Sequence, residues 1–312
     1  MILPINADSS AKAESVAATT QFMTGRFAIG AGRFLPWQVH KALPEAESVT
    51  KNGKAASARG TILLFNDWGV PFDSDQALLA ALSARGFYIA GYDWYRQGSR
   101  PQSGNKANRR QTGQNRYACR FNSKALDCFV QTVLLPDYPA PFYVLAQGLG
   151  GLFALTTQNI LRSTVRRMVL VAVPMSIGRH RPNSLYHFGI KAASLLTCNT
   201  RKHKETGRNS LAYKANLLDH AAYILSGSYR KNMTLPCLLI SAACDTKANI
   251  AQARLLAEKL RLIDNLIIPA ASPALLQESA YQRHQFWAAF DAFIPGSDTG
   301  SANPILEHAA LL

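Results

Sequence analysis

The sequence lacks the features that define several common protein classes. Its five cysteines are odd in number and include no Cys-x-x-Cys pair, which argues against a disulfide scaffold or a zinc site built on paired cysteines. No apolar run approaches the roughly 18 residues of a membrane-spanning helix. The first residues carry neither the basic segment nor the apolar stretch of a secretory signal, and no internal repeat is visible. We therefore expect a soluble, cytoplasmic globular protein with reduced thiols.

Acidic residues are scarce in one part of the chain. The 312 residues hold 34 Lys and Arg against 19 Asp and Glu, a formal charge of +15. Residues 96–204 contain 17 of the basic side chains and only two acids, Asp127 and Asp137, so this basic stretch carries the whole surplus. Such a charge attracts anionic lipid head groups, acidic ligands or nucleic acid, and a plain solvated surface explains it equally well. Two basic clusters stand out: Arg96, Arg100, Lys106, Arg109, Arg110, Arg116 and Arg120, then Arg179, Arg181, Lys191, Arg201, Lys202 and Lys204.

From Gly60 onwards, apolar runs alternate with helical stretches, a pattern typical of a mostly parallel sheet with helices on both faces. A hairpin of two short strands, around Phe22–Ile29 and Phe34–Lys41, is predicted before it. Asp73 and Asn122 are the expected N-caps of two helices, and Gly86 is an expected C-cap. The predicted strands are 61–65, 87–93, 142–146, 167–173, 237–243 and 265–270, and the predicted helices are 73–85, 122–135, 149–161, 248–260 and 278–293.

Two interruptions define the domain organisation. Tyr95–Tyr117 is a loop poor in apolar residues, and 176–233 is a long insertion between two core strands, where a cap or lid is expected. The predicted organisation is a disordered lead-in at 1–20, a core formed by 21–175 and 234–295, the cap at 176–233, and a C-terminal tail at 296–312.

Four stretches carry a resemblance to a known family. The first, Ala146–Gly151, lies between a strand and a helix, where a nucleophile elbow of pattern G-x-S-x-G would lie. Gly60–Gly69 is similar to an oxyanion strand and loop, and Leu235–Asp245 to the strand that delivers a catalytic acid. Ile267–Ile294 is similar to the loop and final helix that carry a catalytic histidine. In order and spacing, roughly residues 20–295 resemble the bacterial lysophospholipase and monoacylglycerol-lipase branch of the α/β-hydrolases.

The resemblance implies an α/β-hydrolase fold with a mostly parallel sheet of about eight strands. It also implies a catalytic serine and histidine at positions where this chain has Gly148 and Pro273, whereas the acid position is retained as Asp245. The oxyanion-type backbone donors would be Trp68 and Leu149. No cofactor and no metal is implied.

The altered positions remove the expected chemistry. Acyl transfer needs a nucleophile and a base that takes its proton, and neither glycine nor proline supplies one. Losing either partner costs on the order of 10⁶ in turnover. Glycine still suits the strained elbow backbone. The His-Gly pair usual in the oxyanion loop is here Asn66-Asp67, and the Asp67 carboxylate either points inward, against a developing oxyanion, or faces water.

Other residues could take over the missing roles, but each has an ordinary structural explanation. His284 is expected about two turns into the last helix, packed or facing solvent, and Cys244 is expected as inert packing at a strand end. Asp93 is expected to cap a turn. The remaining candidates are His180, His187 and His203 in the insertion, and the loop serines Ser176 and Ser272.

Three functions stay open. The favoured one is a pseudo-hydrolase, a catalytically inactive serine hydrolase homologue that binds an acyl lipid, a small ester-like ligand or a protein partner and contacts anionic membranes peripherally. The alternative is an active carboxylic-ester hydrolase, of the lysophospholipase or monoacylglycerol-lipase type, that uses relocated residues. A nucleic-acid-associated basic protein is the least favoured, because no recognised binding motif accompanies the charge. No pattern predicts the oligomeric state.

Overall fold

The computed structural model describes residues 22–30, 32–42, 58–95, 123–174, 220, 223–224, 226–244, 250–260, 262–272, 275 and 278–295. Several predictions fall outside these residues: the lead-in, the C-terminal tail, both basic clusters, most of the cap, and the three positions Asn122, Asp245 and Pro273.

Eight strands form one sheet, in the order β1-β2-β4-β3-β5-β6-β7-β8. The predicted hairpin is confirmed, since β1 and β2 pair antiparallel and β2 also pairs antiparallel with β4. All other neighbours are parallel. The strands are β1 Phe22–Gly30, β2 Arg33–His40, β3 Gly60–Phe65, β4 Phe87–Tyr92, β5 Phe142–Gln147, β6 Val165–Val171, β7 Cys237–Ala242 and β8 Ile263–Ile268.

Helices cover both faces of the sheet. Alternate residues of β3 belong to two separate hydrophobic cores, Leu63 and Phe65 to one and Ile62 and Leu64 to the other, because successive strand side chains point to opposite faces. The first core contains side chains of α2, α3, α4, α5 and α6, and the second those of α1 and α7. The helices are α1 Gln76–Ala84, α2 Ser123–Phe129, α3 Leu149–Thr156, α4 Gln158–Leu161, α5 Gly227–Asn232, α6 Ile250–Lys259 and α7 Ala280–Phe293.

The helix ends correct some sequence predictions. Asp73 is wrong as the N-cap of α1: it lies in a short 3₁₀ turn, Phe72–Ser74, and Asp75 is the cap, accepting a hydrogen bond from the backbone N–H of Leu78. Gly86 follows the C-cap residue with φ +80°, where glycine is favoured. The predicted helix 122–135 runs from α2 into a π-helical segment, Val130–Leu134, and a last turn, Leu135–Asp137. The helix predicted at 149–161 is divided at Thr157 into α3 and α4.

The described C-terminal end of the predicted cap packs into the first core. The Tyr229 side chain of α5 is 1% exposed, and its hydroxyl donates to the Leu155 carbonyl of α3 at 2.8 Å. The Gln158 amide of α4 donates to the Asn232 carbonyl at 2.9 Å. Among the residues that the structure describes, no helix has the length and hydropathy needed to cross a membrane.

Candidate functional site

The elbow between β5 and α3 has the backbone of a sharp strand-to-helix turn. Gly148 has φ +54° and ψ −126°, a conformation that strains any residue with a Cβ. Its N–H donates to the Val171 carbonyl at 2.9 Å, and its carbonyl accepts from the N–H of Gly151 at 3.1 Å. The position expected to carry a nucleophile therefore keeps the elbow geometry without a side chain.

The first turn of α3 packs unusually close to the end of β3. A Cβ added at Gly150 would lie 2.3 Å from the Phe65 carbonyl oxygen and 2.6 Å from that of Asn66, both of them backbone atoms. Only glycine allows this approach, and the sequence analysis did not single it out. The contact brings the backbone of Leu149 to the loop that follows β3.

The loop after β3 is held by hydrogen bonds of its own. The buried Asn66 side-chain amide donates to the carbonyls of Pro71 and Phe72, at 2.7 and 3.2 Å, and the Asn66 backbone carbonyl accepts from the Trp94 indole at 2.9 Å. Asp93 accepts from the N–H of Phe72 at 3.1 Å, so its role here is structural, but this bond holds the turn before α1 rather than the turn after β4 that the sequence predicted. The loop backbone is thereby held by several hydrogen bonds that do not involve the Asp67 side chain.

The Asp67 side chain points inward. Its Oδ1 accepts a hydrogen bond from the N–H of Trp68 at 2.8 Å and a second from the N–H of Leu149 at 3.0 Å. These are the two backbone donors predicted for the oxyanion position, and they converge on one carboxylate oxygen. Of the two orientations that the sequence left open for Asp67, the structure has the inward one.

The same carboxylate occupies the space beside the elbow. A Cβ built on Gly148 would lie 2.5 Å from the Asp67 Cγ and 2.6 Å from its Oδ1. Real Cβ atoms do not approach other heavy atoms so closely, so no side chain fits at position 148 while Asp67 keeps this rotamer. Gly148 and Asp67 are therefore complementary in shape.

Aromatic side chains stand next to Asp67. The half-buried Trp68 ring contacts Trp94 and Tyr95, with centroids 5.7 and 5.8 Å away, and Trp94 stacks on Phe153 of α3 at 4.8 Å. In this aromatic cluster, formed by Trp68, Trp94, Tyr95 and Phe153, the Trp94 and Phe153 rings are buried in the first core, and the Trp68 and Tyr95 rings are partly exposed.

The other two predicted triad positions lie outside the described residues. The strands that lead to them, β7 and β8, are neighbours, with Ala242 paired to Ile268. Just beyond the strands, the N–H of Cys244 donates to the Ala271 carbonyl at 2.9 Å. The roles of Asp245 and Pro273 remain predictions of the sequence.

The structure describes three of the residues that could take over a missing triad role, and each has other surroundings. His284 is exposed just over one turn into α7, not two, and lines a surface groove against α1. Cys244 is exposed, which corrects the expectation that it packs in the interior. Hydrogen bonds from Ser272, first from its side chain and then from its backbone, lower the pKa of Glu278. Ser176, His180, His187 and His203 are not among the described residues.

No metal site accompanies these residues: within the described ranges, no group of three His, Cys, Asp or Glu is placed to hold a metal ion.

The buried thiol of Cys237 lies at the start of β7, and burial raises its pKa well above the ordinary value. A thiol of this kind stays protonated and serves as packing.

Solved structures with the same architecture include lipases and esterases. A soluble variant of monoglyceride lipase from Saccharomyces cerevisiae, in complex with a substrate analog, superposes with a TM-score of 0.62 at 12% identity, covering 88% of this chain and 94% of that one. A highly thermostable carboxyl esterase from Bacillus coagulans, in complex with glycerol, gives 0.60 at 11% identity, covering 89% and 100%. Monoacylglycerol lipase from Paleococcus ferrophilus gives 0.56 at 13% identity, covering 88% and 98%.

The chain has the α/β-hydrolase fold. The eight-stranded, mostly parallel sheet and the likeness over almost nine-tenths of the chain confirm the fold class expected from the sequence. By sequence, no protein-family model and no curated protein matches the chain.

Proposed function

We propose that this chain is a catalytically inactive α/β-hydrolase homologue that uses the lipase-like scaffold for binding. The observation that carries the proposal is the contact between Gly148 and Asp67: the elbow has no nucleophile, and the carboxylate lies where a nucleophile's side chain would begin. Without a nucleophile there is no acyl-enzyme step, and an acid at Asp245 alone does not replace it.

The carboxylate also opposes the charge that acyl transfer develops. An oxyanion is stabilised by N–H groups aimed at the oxygen that becomes negative. Here the two candidate donors already bind Asp67 Oδ1. A substrate carbonyl would have to displace that oxygen and would then meet a neighbouring negative charge, so both effects raise the barrier to reaction.

The ligand we propose is an acyl lipid or a small ester-like molecule. The partly exposed rings of Trp68 and Tyr95 support an apolar ligand, because aromatic side chains contribute large contact areas at little cost in side-chain entropy. The basic stretch at 96–204 supports peripheral contact with anionic membranes, from which such a ligand would come.

Hydrolysis assays test the inactivity. The wild-type chain should release no product from short-chain esters, monoacylglycerols or lysophospholipids beyond the rate of the buffer. The variant Gly148→Ser alone should also be inactive, because Asp67 blocks the new hydroxyl. Any gain should require Gly148→Ser, Asp67→Gly and Pro273→His together, and Gly148→Ala in place of Gly148→Ser is the matched control without a nucleophile.

A wild-type rate that disappears when one serine or cysteine is replaced would overturn the proposal. It would favour the alternative, an active carboxylic-ester hydrolase with relocated residues. Binding is tested separately by titrating the chain with a non-hydrolysable monoalkyl glycerol ether and following tryptophan emission. The change should be lost in Trp68→Phe and kept in Trp287→Phe, a substitution in α7.

A further inference from the structure

Two backbone N–H groups from different parts of the chain converge on one side-chain oxygen. Trp68 lies in the loop after β3, and Leu149 is the first residue of α3, yet both donate to Asp67 Oδ1, at 2.8 and 3.0 Å. Both distances are in the ordinary range of N–H···O hydrogen bonds. Convergent donors of this kind bind a carbonyl oxygen or an oxyanion when no protein group occupies the acceptor position.

Contacts other than those of the Asp67 side chain also hold these donors in place. The loop is fixed by the Asn66 amide and the Trp94 indole, and α3 is fixed by the close approach of Gly150 to the backbone of β3. Removing the carboxylate therefore leaves two N–H groups aimed at the same point. One of them starts a helix, whose dipole also favours a negative group there.

We infer that Asp67 is a built-in ligand of this backbone site, which keeps it closed to external carbonyl and anionic oxygens. The inference deepens the proposed function and rests on it: the ligand of the scaffold does not bind through an ester carbonyl at the elbow. Its proposed contacts are the partly exposed rings of Trp68 and Tyr95. When the carboxylate is removed, the site accepts a small external carboxylate in its place.

The inference is tested by removing the carboxylate and supplying it from solution. Asp67→Ala lacks one carboxylate group, and formate is that group as a free anion. We expect Asp67→Ala to melt about 3–8 °C below the wild type. Formate, compared with chloride at equal ionic strength, should recover part of this loss and move the amide NMR signals of Trp68 and Leu149 saturably. The wild-type signals should not respond, nor should those of Asp127→Ala, which removes an exposed carboxylate on α2.

Two further measurements keep the test decisive if Asp67→Ala folds poorly. Asp67→Asn keeps an oxygen acceptor, so both amides should stay protected from hydrogen exchange, as in the wild type. Two results would overturn the inference. One is that the Trp68 and Leu149 amides of the wild type are not protected from hydrogen exchange, and the other is that the wild type and Asp67→Ala respond equally to formate. None of these readouts involves ester hydrolysis, so a failure of the proposed function would be seen separately, as a wild-type hydrolytic rate.

Discussion

Asp67 Oδ1 lies 3.0 Å from the backbone nitrogen of Leu149, 82 positions further along the chain. The first N–H groups of a helix have no partner within the helix, and an N-cap side chain usually supplies one. Gly148, the N-cap of α3, has no side chain to do so. Asp67 therefore caps α3 from another loop, and donors that acyl transfer would need for its substrate stabilise the fold instead.

The contact between Asp67 and position 148 predicts a coupled pair of substitutions. Gly148→Ala should lower the free energy of unfolding by more than the about 1–3 kcal/mol of backbone strain, because its Cβ also collides with Asp67. Adding Asp67→Gly should remove the part of the loss that comes from the collision. Denaturation in urea of the wild type, the two single variants and the double variant measures this coupling as a double-mutant cycle.

Gly69→Ala is the matched control for that cycle. Gly69 also has a positive φ, +77°, but a Cβ there would have nothing within 4 Å. It should cost the strain alone, with no coupling to Asp67→Gly. Equal costs for Gly148→Ala and Gly69→Ala, both independent of Asp67, would contradict the close contact.

The hydrogen bond from Tyr229 to Leu155 predicts that the chain just before β7 is part of the stable core. Tyr229→Phe keeps the ring and removes the buried hydroxyl, leaving the Leu155 carbonyl without this donor. The free energy of unfolding should fall by about 1 kcal/mol. Tyr223→Phe, at an exposed position, is the control and should change it little. Equal stabilities of the two variants would argue that this segment does not pack as described.

His40 predicts a pH dependence of stability. Its ring is fully buried, without a hydrogen-bond partner for either nitrogen, against Phe22 at a centroid distance of 3.9 Å. Burial lowers the pKa of His40, and the nearby Asp73 carboxylate opposes the shift only in part. Because the folded state disfavours the charged ring, stability should be full above about pH 6.5 and fall as the pH drops from there through the lowered pKa.

Denaturation at a series of pH values measures this dependence. His40→Leu should flatten the acid side of the profile, and His284→Gln, an exposed control on α7, should keep the wild-type slope. A profile for His40→Leu that matches the wild type would show that His40 is not its source.

The basic stretch predicts reversible binding to anionic vesicles. Each Lys or Arg near such a surface contributes about 1 kcal/mol, and the Debye length shortens from ~10 Å at 0.1 M salt to ~3 Å at 1 M. Binding should therefore require anionic lipid and weaken with salt in co-sedimentation. It should fall on replacing four residues of the two clusters by Gln: Arg109, Arg110, Lys202 and Lys204.

The control replaces exposed arginines outside the stretch, Arg26, Arg254 and Arg283, by Gln. These variants should keep most of the binding. Equal sedimentation with neutral vesicles, or none with anionic vesicles at low salt, would remove the membrane proposal.

The strands could be predicted because a short run of apolar residues is enough to indicate a buried strand. Runs such as 61–65 and 142–146 are apolar except for Thr61, as expected of strands covered on both faces, and they match β3 and β5 to within one residue at each end. The ends of the helices were harder to predict from the sequence. Asp73 and Asp75 are both good caps in sequence, and the 3₁₀ turn that assigns the role to Asp75 depends on Asp93, which lies beyond α1.

The inward orientation of Asp67 was not predictable from local sequence. Whether a loop carboxylate faces water or the interior depends on donors that the fold brings to it, and Leu149 arrives through the packing of α3 on β3. One signal was present: glycines at 148, 150 and 151 imply that something approaches the start of that helix closely. The sequence predicted that position 148 lacks a nucleophile, and the structure has the Asp67 carboxylate beside that position.

Labelling by a fluorophosphonate tests the absence of a catalytic serine most directly. This reagent phosphonylates an activated serine and releases fluoride, so an intact-mass measurement counts activated serines without any assumption about the substrate. The account predicts that the wild-type chain keeps its unmodified mass, whereas an active serine hydrolase treated in parallel gains one adduct. One adduct per wild-type chain, abolished by heat denaturation and mapped to a single serine, would contradict it.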